Sequence, residues 1–345
     1  MKAQGSHTLK GKKSYVVAVA GATGAVGEEM IKILEERKFP VKELKLLASK
    51  RSAGKRHSFR GESHIIEELT GHSFKGVDIV LSSAGGSVSR QFSPAAISEG
   101  AVVVDNTSAF RMDPEVPLVI PEINPEDIAL HKGIIANPNC STIIMAVPIF
   151  PIHKKAGIRR IIVSTYQSVS GAGARAIAEL RHQTQEVLEG KPVTREIFPH
   201  QIAFNLFSHN SAVKENGYNE EEVKMVNETK KIFHDPKISV TPTCVRVPVY
   251  RAHSESIVLE LEKRLSVEEA REILRQAPGV RLQDDREKNY FPMPIEASGQ
   301  DDILVGRIRE DLTCPNGLAL FVSGDQLRKG AALNAIQIAE KLIAH

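Results

Sequence analysis

Residues 15–30, YVVAVAGATGAVGEEM, carry the reading that decides the fold. Tyr15–Ala20 is a short apolar run of the kind that forms a parallel strand buried on both faces. It enters Gly21-Ala22-Thr23-Gly24-Ala25-Val26-Gly27 directly, and EEMIKILEERKF follows with Met30, Ile33, Leu34 and Arg37 at helical spacing. Glycines at i, i+3 and i+6 between a strand and a helix leave no Cβ in the way. A pyrophosphate can then approach the backbone N–H groups at the helix N-terminus. A turn needing glycine only for positive φ is the plainer alternative; the strand–turn–helix context favours the nucleotide.

The pattern continues with strands at 44–49 (LKLLAS), 77–84 (VDIVLSSA) and 101–106 (AVVVDN), with a helix between the last two. Such alternation predicts a parallel sheet covered on both faces. From Cys140 the character changes. Helical segments at 141–156, 174–189, 220–234 and 266–277 separate longer runs with polar alternation, RRIIVSTYQSV, ISVTPTCVRVPV, SESIVLELE and GLALFVSG. These imply a mixed or antiparallel sheet with one face on helices. Pro148 and Pro151 are expected to kink or end the helix after Cys140. The C-terminal run LRKGAALNAIQIAEKLIAH is amphipathic, with Leu333, Ile336, Ala339 and Ile343 on one stripe, and can return to the first domain. The division is therefore a leader at 1–13, a nucleotide-binding domain at 14–139 completed by 326–345, and a second domain at 140–325. The stretch 190–219 contains IAFNLF and suits an ordered interface loop better than a linker.

At 345 residues two domains are the default. With 45 basic against 42 acidic residues, nothing draws the chain to nucleic acid or a membrane surface. The leader, with Lys2, Lys10, Lys12 and Lys13, reads as a solvated, disordered tail and not a targeting signal. Three cysteines, Cys140, Cys244 and Cys314, show no CxxC spacing. That argues against a disulfide framework or structural zinc and suits a reducing cytoplasm; no metal is expected.

The second strand bears on the cofactor. An NAD site usually offers a carboxylate to the ribose at the end of that strand. Here the strand ends in Ser49-Lys50-Arg51-Ser52, with no acid. A cation flanked by hydroxyls suits a 2′-phosphate, so NADP is expected; the alternative is a solvated basic loop.

In Asn137-Pro138-Asn139-Cys140-Ser141-Thr142, Asn139 is a good N-cap, which places Cys140 in the first turn of a helix. A helix N-terminus favours a thiolate, and its N–H groups can hold a developing oxyanion. Alone, however, a cysteine before an apolar run is more often core. Two further segments change that reading: Gln167-Ser168-Val169-Ser170-Gly171-Ala172-Gly173, and Arg246-Val-Pro-Val-Tyr-Arg-Ala-His253-Ser-Glu-Ser.

With these in view the chain resembles the aspartate-semialdehyde dehydrogenase family over nearly all of residues 14–345. GATGAVG, SKRSAGK, DNTSAFRM, NPNCST, STYQSVSGAG, EEEVKM, TCVRVPVYRAHSES, VGRIRED and KGAALNAIQIAE carry the likeness, in a form closer to the Gram-positive-type branch. The resemblance implies an α/β fold, a Rossmann-type NADP-binding domain plus an α+β catalytic/dimerisation domain with a mixed sheet, as in the glyceraldehyde-3-phosphate dehydrogenase-like superfamily. It also implies an activity: NADPH-dependent reductive dephosphorylation of L-aspartyl 4-phosphate to L-aspartate 4-semialdehyde, serving lysine, methionine, threonine and diaminopimelate biosynthesis.

By the same resemblance Cys140 is the nucleophile that forms a thioacyl intermediate and His253 the general acid/base, for which a near-neutral pKa would serve. Gln167 positions substrate or nucleophile. Arg246 grips the substrate carboxylate, Glu221 its ammonium, and Lys224 and Arg111 the phosphate, with Asn139 also at the substrate. Three consecutive glutamates, Glu220 to Glu222, leave that register open by one residue. Cofactor contacts fall to Gly21, Thr23, Gly24, Ala25, Val26, Gly27, Ser49, Arg51, Ser52, Ser170, Gly171 and Gln326. The family assembles as homodimers or homotetramers. N-acetyl-γ-glutamyl-phosphate reductase, the nearest rival, would show Gly-Cys-Tyr-Pro around its cysteine; a non-catalytic NADP-binding regulatory protein would lack Cys140, Gln167 or His253.

Overall fold

The computed structural model describes Leu9 and residues 11–344. The chain divides into two compact units, one running to Pro138 and resuming at Ala331, the other spanning Asn139–Gly330. Most of the leader lies outside the described residues. Leu9, however, is buried in the core of the first unit and Lys12 pairs with Asp78, so the expectation of a solvated tail does not extend to them. An apolar residue beside a strand that starts at Tyr15 has a core to join.

In the first unit the chain forms β1 (Tyr15–Ala20), α1 (Ala25–Glu36), β2 (Val41–Ala48), β3 (Arg56–Phe59), β4 (Glu62–Glu68), β5 (Ile79–Ser82), α2 (Gly86–Ser98), β6 (Val102–Asp105) and β7 (Ile134–Ala136). The sheet order is β3-β4-β2-β1-β5-β6-β7, parallel throughout except for the β3–β4 hairpin. Strand order reverses at β1, whose neighbours are β2 on one side and β5 on the other. A crevice at the carboxyl ends of the strands belongs at such a switch point, and the glycine turn after Ala20 is there.

In the second unit α3 (Cys140–Ala156), β8 (Ile158–Gln167), α4 (Ala174–Leu188), β9 (Phe207–Ser208), α5 (Glu220–Ile232), β10 (Ser239–Arg246), β11 (His253–Leu261), α6 (Val267–Gln276), β12 (Val280–Leu282), α7 (Pro294–Ala297), β13 (Ile303–Glu310) and β14 (Gly317–Gly324) follow. They build a mixed sheet in the order β12-β13-β14-β11-β8-β10-β9. Alternation along β8 buries Ile161, Val163, Thr165 and Gln167 and leaves Ile162 and Tyr166 exposed on the other face. Helices α3 and α5 pack on the buried face. After Gly330, α8 (Leu333–Ala344) adds Leu333, Ile336, Ala339 and Leu342 to the first unit's core.

Helix α3 differs from expectation: it runs unbroken through Pro148 and Pro151 to Ala156. Each proline removes one backbone donor, at a cost of about 3 kcal/mol. Burial of Ile143, Ile144, Met145, Val147, Ile149 and Ile152 along the helix outweighs that loss.

The 190–219 segment is irregular apart from β9. Two buried α4 side chains meet its backbone polar groups: Glu179 accepts from Ile197 N–H at 2.5 Å and Gln183 Oε1 from Ile202 N–H at 2.8 Å. Within IAFNLF, Ile202 and Ala203 are buried, whereas Phe204 and Leu206 stand exposed.

Candidate active site

Strand register gathers the site at one end of the second sheet. Parallel pairing of β10 with β8 sets Arg246 beside Gln167. Antiparallel pairing of β11 sets Ser254 opposite Tyr166, so His253 falls on the same row as Gln167. All three are buried and project from the helix-covered face.

Cys140 opens α3 at this end. Asn139 caps the helix as expected, its Oδ1 accepting from Ser141 N–H at 3.0 Å and Thr142 N–H at 3.2 Å. Those two N–H groups are therefore taken by the cap. The cap is itself fixed, its N–H donating to Glu228 Oε2 at 2.6 Å and its amide to Glu221 Oε1 at 2.8 Å. Gly330 closes the other side: a Cβ there would lie 3.0 Å from Cys140 Cβ.

His253 Nε2 lies 3.6 Å from Cys140 Sγ. Its Nδ1 faces Ser168 N–H at 3.1 Å and Ser168 Oγ at 3.0 Å. A backbone N–H can only donate, so the tautomer that satisfies every contact carries its proton on Nε2, toward the sulfur. Complete burial, with Arg246 adding to it, lowers the imidazole pKa to about 3. The intrinsic near-neutral value of an imidazole is thus lowered at this position, and the ring is neutral.

Gln167 donates from Nε2 to Ser141 Oγ at 2.7 Å, with Glu221 Oε1 at 3.5 Å from the same nitrogen. Arg246 donates from Nη1 to the Ser168 carbonyl at 2.7 Å, and its Nε is buried without a partner among the described residues. Gly171 roofs both groups: a Cβ there would stand 3.2 Å from His253 Cε1 and 3.4 Å from Arg246 Nη1.

The three glutamates separate by role. Glu220 points outward to Lys214. Glu222 forms a capping box with Asn219 and accepts from Cys244 N–H at 2.9 Å. Glu221 is the one turned to the site, paired with Lys224 at 3.1 Å. Burial would raise its carboxyl, but Lys224, His209 and Asn139 overcome it and hold the pKa at about 2.

Ser170 and Gln326 are also buried here. Gln326 accepts from Ala252 N–H at 2.8 Å through Oε1 and donates to Ser170 Oγ through Nε2, so both ends of its amide brace the strand entering His253.

The remaining residues of interest belong to the first unit. Gly21 has φ +89°, and a Cβ at Gly27 would lie 2.2 Å from Gly21 O. Helix α1 is capped by Gly24, with no side chain on its first N–H groups, in contrast to α3. Thr23 Oγ1 meets Ser52 Oγ at 3.4 Å, which ties the turn to Ser49, exposed Arg51 and buried Ser52. This backbone cradle, opening a helix N-terminus that includes Ala25 and Val26, fits a dinucleotide pyrophosphate. Arg111 is fixed by the carbonyls of Asn137 at 2.9 Å and Asn106 at 3.0 Å. Among the described residues no group of three or more His, Cys, Asp or Glu could hold a metal.

Sequence reading passed over Ser168, His209 and Glu228. Ser168 stood inside a quoted motif but without a partner in view. His209 and Glu228 carry no local pattern, and only folding brings them to Arg246 and Asn139.

The family described as semialdehyde dehydrogenase, NAD binding domain, matches residues 16–131, and semialdehyde dehydrogenase, dimerisation domain, matches 149–329. An aspartate-semialdehyde dehydrogenase of Synechocystis is 59% identical over 95% of this chain and 97% of its own. The Bacillus subtilis protein of that name is 51% identical over 94% of this chain and 96% of its own. Among solved structures, Vibrio cholerae aspartate semialdehyde dehydrogenase II, complexed with ASA, superposes with a TM-score of 0.94 at 48% identity, covering 96% and 98% of the two chains. The fold is accordingly the glyceraldehyde-3-phosphate dehydrogenase-like one, with a nicotinamide-dinucleotide domain and a dimerisation domain. The chain is an oxidoreductase and belongs to the aspartate-semialdehyde dehydrogenase family.

Proposed function

We propose that the chain reduces L-aspartyl 4-phosphate to L-aspartate 4-semialdehyde, releasing phosphate, with NADPH as cofactor and Cys140 as nucleophile. The observation that carries this reading is the Cys140 sulfur at the start of a capped helix, 3.6 Å from His253 Nε2. The Cys140 thiolate attacks the acyl carbonyl; a C–S bond forms, the C–O bond to phosphate breaks, and phosphate leaves with its electron pair. The dinucleotide, which the turn of Gly21, Gly24 and Gly27 would hold, would supply hydride to the resulting thioester. Collapse of the thiohemiacetal breaks the C–S bond, releases the aldehyde and restores the thiolate.

His253 holds its Nε2 proton toward the sulfur and the carbonyl oxygen as negative charge develops there. Should the ring take a second proton, that proton sits on Nδ1 and donates a hydrogen bond to Ser168 Oγ at 3.0 Å. This keeps His253 as general acid/base, charged only while an anion sits beside it. Arg246, with its unused Nε, offers a planar donor edge to the substrate carboxylate. Glu221 offers a carboxylate to the ammonium, while Lys224 and Arg111 are assigned to phosphate. Gln167 orients the first turn of α3 through Ser141.

NADP is preferred to NAD because β2 is followed by Ser49-Lys50-Arg51-Ser52, with no carboxylate. Three free cysteines suit the cytoplasm, and the exposed sheet face with Ile162 and Tyr166 suits a homodimer or homotetramer. We place the product ahead of lysine, methionine, threonine and diaminopimelate synthesis. Phosphate-dependent reduction of NADP with aspartate semialdehyde tests the reading. Turnover of N-acetylglutamate semialdehyde in its place would move the chain to the rival substrate.

A further inference from the structure

The side chain of His209 reaches the substrate end of the sheet from the irregular 190–219 segment. Its backbone N–H donates to the Cys244 carbonyl at 2.9 Å, extending the edge of β10 and fixing the residue beside Arg246. The imidazole Nε2 lies 2.9 Å from Arg246 Nη2. A guanidinium only donates, so Nε2 is the acceptor and the ring of a neutral His209 carries its proton on Nδ1. Ser211 Oγ, 3.0 Å from Nδ1, accepts that proton, and also takes the Glu221 N–H at 3.2 Å. In this tautomer the Ser211 N–H, 3.2 Å from Nδ1, is a contact without a bond.

We propose that His209 is a positioning residue for the substrate site: a neutral acceptor that aims the Arg246 guanidinium while leaving its positive charge for the ligand carboxylate. Arg246 is held by two uncharged acceptors, the Ser168 carbonyl on Nη1 and the His209 ring on Nη2, and its Nε remains unpartnered. A carboxylate in the place of the imidazole would hold the guanidinium equally well and cancel the charge that recognises an anionic group. The neutrality of the ring has a cause in its surroundings. Burial lowers the His209 pKa to about 4, the pull of Glu221 being offset by Arg246 and Lys224.

The contacts also join Arg246 to the chemistry. From Glu221 N–H through Ser211 and His209 to Arg246, and from Arg246 Nη1 to Ser168, hydrogen bonds run to the residue whose N–H fixes the His253 tautomer. The segment thus bears on the site through one side chain. The inference rests on the reading of Arg246 as the carboxylate-gripping residue, and Arg246→Lys serves as the control for that reading.

The test is steady-state kinetics of the full-length enzyme with aspartate semialdehyde, phosphate and NADP. His209→Phe removes the acceptor and is expected to raise the KM for aspartate semialdehyde about tenfold, the scale of one hydrogen bond to a charged group, with kcat and the KM for phosphate within about twofold. His209→Gln, whose Oε1 can replace Nε2, is expected to return KM to within about threefold of the parent. His209→Glu is expected to raise KM further than His209→Phe, because it neutralises Arg246. An unchanged KM in His209→Phe, a Gln variant no better than Phe, or loss confined to kcat overturns the proposal. If His209→Phe does not fold, the Glu and Gln variants decide it, and equal KM values for these two overturn it. Should Arg246→Lys leave KM unchanged, the reading of Arg246 itself fails, an outcome separate from those of the His209 variants.

Discussion

Ser168 donates its backbone N–H to Nδ1 of His253 at 3.1 Å, and this one bond decides which ring nitrogen can carry a proton toward Cys140. A structural histidine would use the same bond merely to hold its ring. A catalytic one needs the Nε2 proton it leaves at the sulfur. His253→Asn is therefore expected to lower kcat/KM by about 10²- to 10⁴-fold, with cofactor affinity unchanged. Initial rates at saturating cofactor check this; a loss under tenfold would leave His253 as scaffold.

Arg51 is exposed on the turn that Ser52 ties to Thr23 of the glycine loop. A guanidinium there adds affinity only when a 2′-phosphate is present. Arg51→Ala is expected to reduce the preference for NADP over NAD by about tenfold or more, through the KM for NADP. Equal changes in the KM for both dinucleotides would assign Arg51 to the solvated surface.

Glu255 is buried on β11, two residues from His253, and neither carboxylate oxygen has a partner among the described residues. Burial raises its pKa well above the usual carboxylate range, so its stabilising contribution is complete below the unfolded value of 4.5 and is lost as pH rises through the folded one. The histidines run the other way. Burial lowers His209 to about 4 and His253 to about 3, so stability falls as pH drops from 6.5 toward those values. Glu255→Met removes only the first effect. Its stability gain over the parent is expected to be larger at pH 8 than at pH 5, read from denaturant unfolding at the two pH values. A gain independent of pH would mean that Glu255 is ionised in the folded chain.

The sequence was most legible where backbone and side-chain demands coincide. Gly21 and Gly27 are needed because a Cβ on Gly27 would strike Gly21 O, and that need shows as a spacing. Asn139 before Cys140 announced a helix start by its cap chemistry. Where several identical residues meet an element boundary, spacing alone is blind, as with Glu220, Glu221 and Glu222. A cue was present even so: Asn219 three residues before Glu222 is a capping box, which leaves Glu221 for the site. The persistence of α3 through two prolines was not legible, because burial against the sheet decides it and not local propensity. Nor was the His253 shift, which arises from enclosure by groups far apart in the chain. The β3–β4 hairpin escaped because its residues are largely exposed and lack a clean apolar alternation.

In the proposed reaction phosphate leaves when Cys140 takes the acyl group, before any reduction. The most direct measurement is rapid-quench release of phosphate from L-aspartyl 4-phosphate by the enzyme without cofactor. The expected result is a burst stoichiometric with active sites, absent from Cys140→Ala, together with an acyl adduct on the Cys140 peptide by mass spectrometry. A burst that survives Cys140→Ala, or phosphate release that waits for NADPH, would contradict it.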